Sequence, residues 1–196
     1  MTPYIFGYNL ELERLPYNLE KARQYMKDAG YEDGFEVVLD TTTVSANRVN
    51  VSNTIVDQLS LINITVEVNI LSSSDFYSKI MSGNSSFYFV GWRIDSGDAG
   101  EIFDNILRSV DIDNGYGTYN FGNYSNLEID RIADDIFCNM NTEERLDLMK
   151  EGFAIAMEDV ACVPLYIYKG ISAMDDEISW QPRADGLIKL EDININ

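Results

Sequence analysis

Residues 91–103 read GWRIDSGDAGEIF, and this stretch carries the residue types best suited to gripping a small molecule. Trp92 offers an aromatic platform. Asp95 offers a carboxylate in a loop punctuated by Gly91, Gly97 and Gly100, and glycines let a backbone approach a ligand closely. An indole beside a lone carboxylate suits a cationic group, through charge pairing and ring stacking. Two plainer readings stand beside this one: Trp92 as core filler, and Asp95 as a solvated loop acid.

Other chemistry is thin. The chain has no His, which removes Ser-His and Cys-His nucleophile pairs and every histidine-based metal site. Catalysis would have to rest on carboxylates, Lys, Tyr or Cys. A carboxylate-pair hydrolase acting on glycans is one alternative. With 33 acids such pairs arise easily by accident, and nothing organises two of them around one cleft. Cys138 and Cys162 lack CxxC spacing and have apolar neighbours, so buried, unpaired thiols are expected. Asp111-Ile112-Asp113-Asn114-Gly115 is like a calcium loop only superficially. Gly115 falls one position early, and Gly122 takes the place of the bidentate acid. No metal and no cofactor is expected.

The elements that must position Trp92 and Asp95 are readable from caps and periodicity. Asn18 caps a helix over about Leu19 to Ala29, and Gly30 stops it. Phe35, Val37 and Leu39 point one way along a strand. A second helix spans about Asn47 to Leu61. Ile64, Val66, Val68 and Ile70 then alternate with Thr65, Glu67 and Asn69, the clearest strand pattern in the chain. A short helix over about Asp75 to Met81 follows. Phe87-Tyr88-Phe89-Val90 is a continuous apolar run, which fits a strand covered on both faces.

Three more helices show capping-box spacing: Asp98 with Glu101 before Ile102–Leu107, Ser125 with Glu128 before Ile129–Phe137, and Asn141 with Glu144 before a helix to Val160. The last should bury Leu146, Met149, Phe153, Met157 and Val160. Pro164 to Tyr168 reads as one more buried strand, and the tail beyond Trp180 has no clear partner. Strands alternating with helices argue for an α/β fold with a mostly parallel central sheet flanked by helices. The expected organisation is an entry segment over 1–17, a single lobe over 18–180 and a C-terminal tail over 181–196. In open α/β sheets ligands bind beyond the carboxyl ends of the strands, which points again at the residues after Val90.

Composition bounds the function. The chain has 196 residues, 45% hydrophobic and 12% aromatic, so it can bury a sizeable core and is not a disordered chain. No apolar run is long enough to span a membrane. Fourteen bases against 33 acids give a net charge of −19, which repels phosphate backbones, and no basic stripe offsets it. Nucleic acid is therefore not an expected partner. The opening MTPYIFGYNLELERLPYN lacks both a basic start and an apolar core, so no signal peptide is expected.

Five segments, in order from residue 16 to residue 170, resemble one family. They are PYNLEKARQYMKDAGYEDGFEVVLDT, QLSLINITVEVNILSSSDFYSKIMSG, GWRIDSGDAGEIF, FGNYSNLEIDRIADD and TEERLDLMKEGFAIAMEDVACVPLYIYKG. Together they resemble the C-terminal lobe of the family-5 extracellular solute-binding proteins, receptors of peptide- and nickel-type ABC importers. The resemblance implies a periplasmic-binding-protein-like lobe that captures a solute, a peptide above all, by hinge closure and without chemistry. It implies that Asp95 pairs with a ligand α-amino group and that Trp92 walls the cavity. Partners would be the solute, an absent N-terminal lobe and a membrane permease. Location would be extracellular or periplasmic, with the full-length parent anchored to a membrane. The chain departs from the family at Ser73, where Trp is frequent, and at Ser96-Gly97-Asp98-Ala99, where a proline-rich turn is usual. Arg93 replaces a small or neutral residue and brings a cation beside Asp95. It either pairs with Asp95 or binds an anionic group itself. A stand-alone sensor or interaction domain that keeps the lobe fold is a further alternative.

Overall fold

A computed structural model of the chain describes residues 1–13, 15–43, 46–183 and 186–195. Four helices begin where a short polar side chain meets orphan backbone donors. Asn18 accepts from Lys21 N at 2.9 Å to start α1 (Leu19–Asp28), and Ser72 accepts from Asp75 N at 3.2 Å to start α3 (Ser73–Met81). Asn126 accepts from Glu128 N at 2.9 Å before α5 (Leu127–Cys138), and Asn141 accepts from Glu143 N at 3.0 Å before α6 (Thr142–Glu158). The remaining elements are β1 (Phe35–Thr42), α2 (Ala46–Ser60), β2 (Ile64–Leu71), the short α4 (Gly100–Ile102), β3 (Ile178–Ser179) and β4 (Asn194–Ile195).

The chain divides into two compact units. A sheet unit takes Glu13–Trp92 with Phe121–Asn123, and a helical unit takes Met1–Leu12, Arg93–Asn120 and Tyr124–Asn196. In the sheet unit β1 and β2 run parallel, in register from Phe35 opposite Ile64 to Thr42 opposite Leu71. Leu39, Ile64, Val66 and Phe89 are buried there, with Val51, Ile55 and Leu59 of α2 packed against them. The period-two pattern of β2 holds at its start, where Ile64 and Val66 turn inward, and lapses further on, where Ile70 is exposed.

Phe87–Val90 does not form the doubly covered strand expected of it. It makes a single parallel bridge at Tyr88 to Asp40, and Val90 is exposed. The bridge uses Asp40 N to Phe87 O at 3.0 Å and Phe89 N to Asp40 O at 2.9 Å, and the chain turns away after that.

The side chain of Asp40 is the polar centre of the sheet unit. It is 1% exposed and accepts from Asn69 Nδ2 at 2.6 Å, Lys79 Nζ at 2.7 Å and Ser85 Oγ at 2.6 Å. Burial pushes the carboxyl upward, but the three donors and the ammonium charge outweigh it and hold the pKa below its ordinary value.

In the helical unit, α5 buries Ile129, Ile132, Ala133 and Ile136, the i, i+3, i+4, i+7 stripe of an amphipathic helix. α6 answers with Met149, Gly152, Phe153 and Ala156. Gly152 is required: a Cβ there would lie 2.4 Å from Cε1 of Phe103, whose ring packs 4.7 Å from that of Phe153. Tyr124 Oη and Asn126 Nδ2 both donate to Asp159, which ties the start of α5 to the end of α6. Residues 1–12 join this unit: Phe6 N donates to Gly97 O, Ala99 N donates to Phe6 O, and Ile5, Phe6 and Leu12 pack on the helical core.

Several other expectations are corrected. The cap of α5 is Asn126, one residue past Ser125, whose hydroxyl meets Ser109 instead. Both cysteines are unpaired but exposed. Cys138 lies two residues past Ile136, about 200° around the helix from it, and so on the opposite face. Val160 is not on the buried face of α6, because it lies beyond the helix with a left-handed φ of 54° and is exposed. Leu165, Tyr166, Ile167 and Tyr168 are exposed and form no strand, since no neighbouring strand among the described residues offers them a ladder. The tail does find a partner: β4 pairs antiparallel with β3. Ile188 and Leu190 remain exposed.

Replacing Asp40 by Asn should cost about 2–3 kcal/mol near neutral pH, because Lys79 keeps its charge and loses its counter-ion. The folded pKa is depressed, so the contribution is full above the unfolded value of 3.8 and vanishes as pH falls through the lower folded value. Urea unfolding of both proteins should therefore differ at neutral pH and converge in strong acid.

Candidate functional site

The two aspartates of the 91–103 turn face different surroundings. Asp98 is held inward by Arg145 of α6, with Nη1 to Oδ2 at 2.5 Å and Nη2 to Oδ1 at 2.9 Å. Gly100 N also donates to Asp98 Oδ1 at 2.8 Å. Burial raises the carboxyl, while the bidentate guanidinium and the amide lower it more, and the net direction is down. Arg145 is itself fixed by Nε donating to Ile136 O at 2.9 Å and by the Phe6 ring 5.3 Å from its guanidinium carbon.

The capping box expected of Asp98 and Glu101 is absent. Glu101 Oε2 accepts from Ser96 N and Ser96 Oγ, and α4 has no side-chain cap. α4 passes at once into a π-helical turn, Phe103–Leu107, closed by Arg108 N to Phe103 O at 2.9 Å. Asp98 is structural through its ion pair and through the bond it accepts from Gly100 N at the start of α4, not through a box shared with Glu101.

Asp95 is the outward acid. Its side chain is 62% exposed, and Arg93, 65% exposed, donates to it from Nε at 2.5 Å and from Nη2 at 3.4 Å. Of the two roles open to Arg93, the structure displays the pair with Asp95. Trp92 is the last residue of the long sheet-unit segment and is 37% exposed, so it is not core filler. Asp95 and Arg93 belong to the helical unit and Trp92 to the sheet unit.

Sequence reasoning missed Arg145, which holds Asp98 inward and leaves Asp95 to the exposed Arg93. It lies 47 residues from Asp98, beyond any local spacing rule. The basic residue within the first turn of a helix otherwise rich in Glu143 and Glu144 is the one signal that was available, because a cation there runs against the helix dipole.

The α/β fold agrees with the matches to known proteins. The chain belongs to the bacterial extracellular solute-binding proteins, family 5, whose middle-region profile matches residues 1–114. It is 25% identical over 193 residues to heme-binding protein A of Haemophilus influenzae, covering 96% of this chain and 34% of that protein. It is 26% identical over 180 residues to the glutathione-binding protein GsiB of Salmonella choleraesuis, covering 88% of this chain and 34% of that one. Among solved structures, the periplasmic binding protein DppA of Helicobacter pylori in complex with peptide STSA superposes with a TM-score of 0.74. The identity is 24%, over 82% of this chain and 31% of that one. HbpA2 of Haemophilus parasuis gives a TM-score of 0.78 at 17% identity, over 97% and 38%.

The fold is therefore the periplasmic-binding-protein-like α/β fold, and the chain spans about a third of the length of the relatives it matches. No helix among the described residues is long and apolar enough to cross a membrane.

The two acids should separate cleanly in stability measurements. Arg145→Met, which strands the half-buried Asp98, should cost about 2–3 kcal/mol. Asp95→Asn and Arg93→Ala should each change stability by less than about 1 kcal/mol, as an exposed ion pair does. Denaturant unfolding of the three variants checks this, and a large loss from Asp95→Asn would make Asp95 a structural residue.

Proposed function

We propose that this chain is the solute-capturing C-terminal lobe of an ABC importer receptor, with a peptide-like molecule as the solute. The observation that carries the reading is the outward carboxylate of Asp95, on the turn after the sheet unit, in a chain of this family. Asp95 would take the ligand's amino group, Trp92 would lie against it, and Arg93 would give up its bond to Asp95 as the ligand arrives. Relatives named for heme, glutathione and peptide widen the range of solutes and keep the class of small captured molecules. The mechanism is capture by closure of two lobes, with no bond made or broken.

The rest of the reading follows from the family. The parent receptor acts outside the cell or in the periplasm, delivers to a membrane permease and has a second, N-terminal lobe. The boundaries 1–17, 18–180 and 181–196 describe the part of that receptor seen here. In this picture the exposed run Leu165–Tyr168 is a strand whose neighbours lie in the rest of the receptor.

The test uses the full-length receptor. A dried charge pair that loses one partner costs about 3–5 kcal/mol, so Asp95→Asn should weaken binding of a free-amine peptide by more than about a hundredfold. N-acetylation of the peptide should do the same, and the two losses should not add, because they remove one pair. Arg93→Ala should leave binding unchanged or strengthen it. Equal affinity of Asp95→Asn for free and acetylated peptide, as tight as the parent's for free peptide, would defeat the amine assignment.

A further inference from the structure

The sheet unit holds an arginine whose charge no neighbouring acid answers. Arg48, in the first turn of α2, is 8% exposed. Its Nη1 donates to Thr42 Oγ1 at 3.1 Å and to Phe89 O at 3.4 Å, and the Phe89 ring lies 5.3 Å from its guanidinium carbon. All of these partners are neutral. No carboxylate pairs with Arg48 among the described residues, in a chain that carries 33 acids.

Its hydrogen-bonding capacity is also unspent. A guanidinium has five N–H donors in a planar fork. Those on Nη1 are used, whereas Nε is shut off from solvent with no partner. Among the described residues Nη2 has no hydrogen bond either, and it is not one of the buried unsatisfied atoms, so it retains solvent access. Nε and Nη2 lie on the side of the fork that grips an oxyanion with two parallel bonds, Nη2 at the surface and Nε under cover that must move aside for the second bond.

A purely structural staple between Thr42 and Phe89 would need hydrogen bonds and no charge. Burying a guanidinium without a counter-ion destabilises a fold, so a neutral side chain would hold these two residues at lower cost. Arg48 also stands beside the carboxyl end of β1, the end at which open α/β sheets bind ligands.

We propose that Arg48 is an anion anchor that takes a carboxylate of the captured solute on its Nε–Nη2 edge. The inference deepens the solute-capture reading and rests on it for the identity of the occupant. A singly charged carboxylate is favoured over a phosphate because the chain carries −19, which opposes the approach of multiply charged anions. The solute is then a molecule with an acidic group, and Arg48 selects for it.

The test needs only this chain, labelled with ¹⁵N, and three probes at matched ionic strength: acetate, inorganic phosphate and chloride. Acetate should produce a saturable shift of the Arg48 Nε–H signal and of the amides of Thr42 and Phe89, with chloride inert. Arg48→Met should weaken that response at least about tenfold, and Arg48→Lys, which keeps the charge and loses the fork, should fall between. Without added anion, Arg48→Met should melt no lower than the parent, which a structural arginine would not allow.

The proposal is overturned if nothing near Arg48 saturates with acetate in the parent chain, or if Arg48→Met responds equally. A stronger response to phosphate than to acetate would overturn the carboxylate assignment. Should Arg48→Met fail to fold, the Nε–H titration of the parent and the Arg48→Lys comparison decide the matter. A saturable response at Arg48 together with a full-length receptor that captures no solute would sink the solute-capture reading and leave the anion anchor standing.

Discussion

A buried carboxylate is tolerable only when its lone pairs are answered, and Asp40 makes that requirement the organising constraint of the sheet unit. Its side chain collects Asn69 from β2, Lys79 from α3 and Ser85 from the loop after α3, while its main chain bridges Phe87 and Phe89. Asp40 and Asn69 are also direct partners in the parallel register. A one-residue slip of β2 would bring Val68 or Ile70 opposite Asp40 and remove a donor, while turning Ile64 and Val66 away from the core. The polar and apolar demands therefore select the same register. Register, the docking of α3 and the course of residues 85–89 all hang on one ionised group.

Charge in the 91–103 turn is sorted by a similar logic. Asp98 is satisfied by two guanidinium bonds and an amide, so nothing remains for it to offer a ligand. Asp95 has only an exposed arginine two residues away, an interaction of little strength in water. Two acids of equal chemistry thus diverge through what α6 presents to them. Arg145 takes the inner one, and the outer one is left where another cation can displace Arg93 from it.

Local signals in the sequence were enough for the regular elements. The caps at Asn18 and Asn141, the alternation over Ile64–Ile70 and the stripe Ile129–Ile136 are short-range patterns, and each forms an element where expected. Trp92 and Asp95 were legible as candidates because a turn after a sheet is a local feature. What was not legible depends on partners distant in sequence. Asp40 meets Lys79 across 39 residues, Arg48 meets Phe89 across 41 and Asp98 meets Arg145 across 47. Apolar runs misled for the same reason. Phe87–Val90 and Pro164–Tyr168 have strand composition, but a strand exists only where a neighbour supplies the ladder. Cys138 misled because apolar sequence neighbours do not share a helix face, and Cys162 lies past the end of α6.

The contrast between Arg93 and Arg48 bears on how such a fold could select a solute. Arg93 is solvated and already paired, so removing its partner costs little, and a ligand amine can compete for Asp95 at small expense. Arg48 is desolvated and has no counter-ion, so an anion that reaches it gains a strong, geometrically demanding contact. Discrimination comes mainly from groups left unsatisfied when the wrong molecule binds, because an unmet buried group is penalised far more than an unmet exposed one. In the proposed receptor the exposed pair would then admit many amines, while the buried arginine would reject solutes without an acidic group. Breadth and selectivity would rest on different residues, separated by burial and not by residue type.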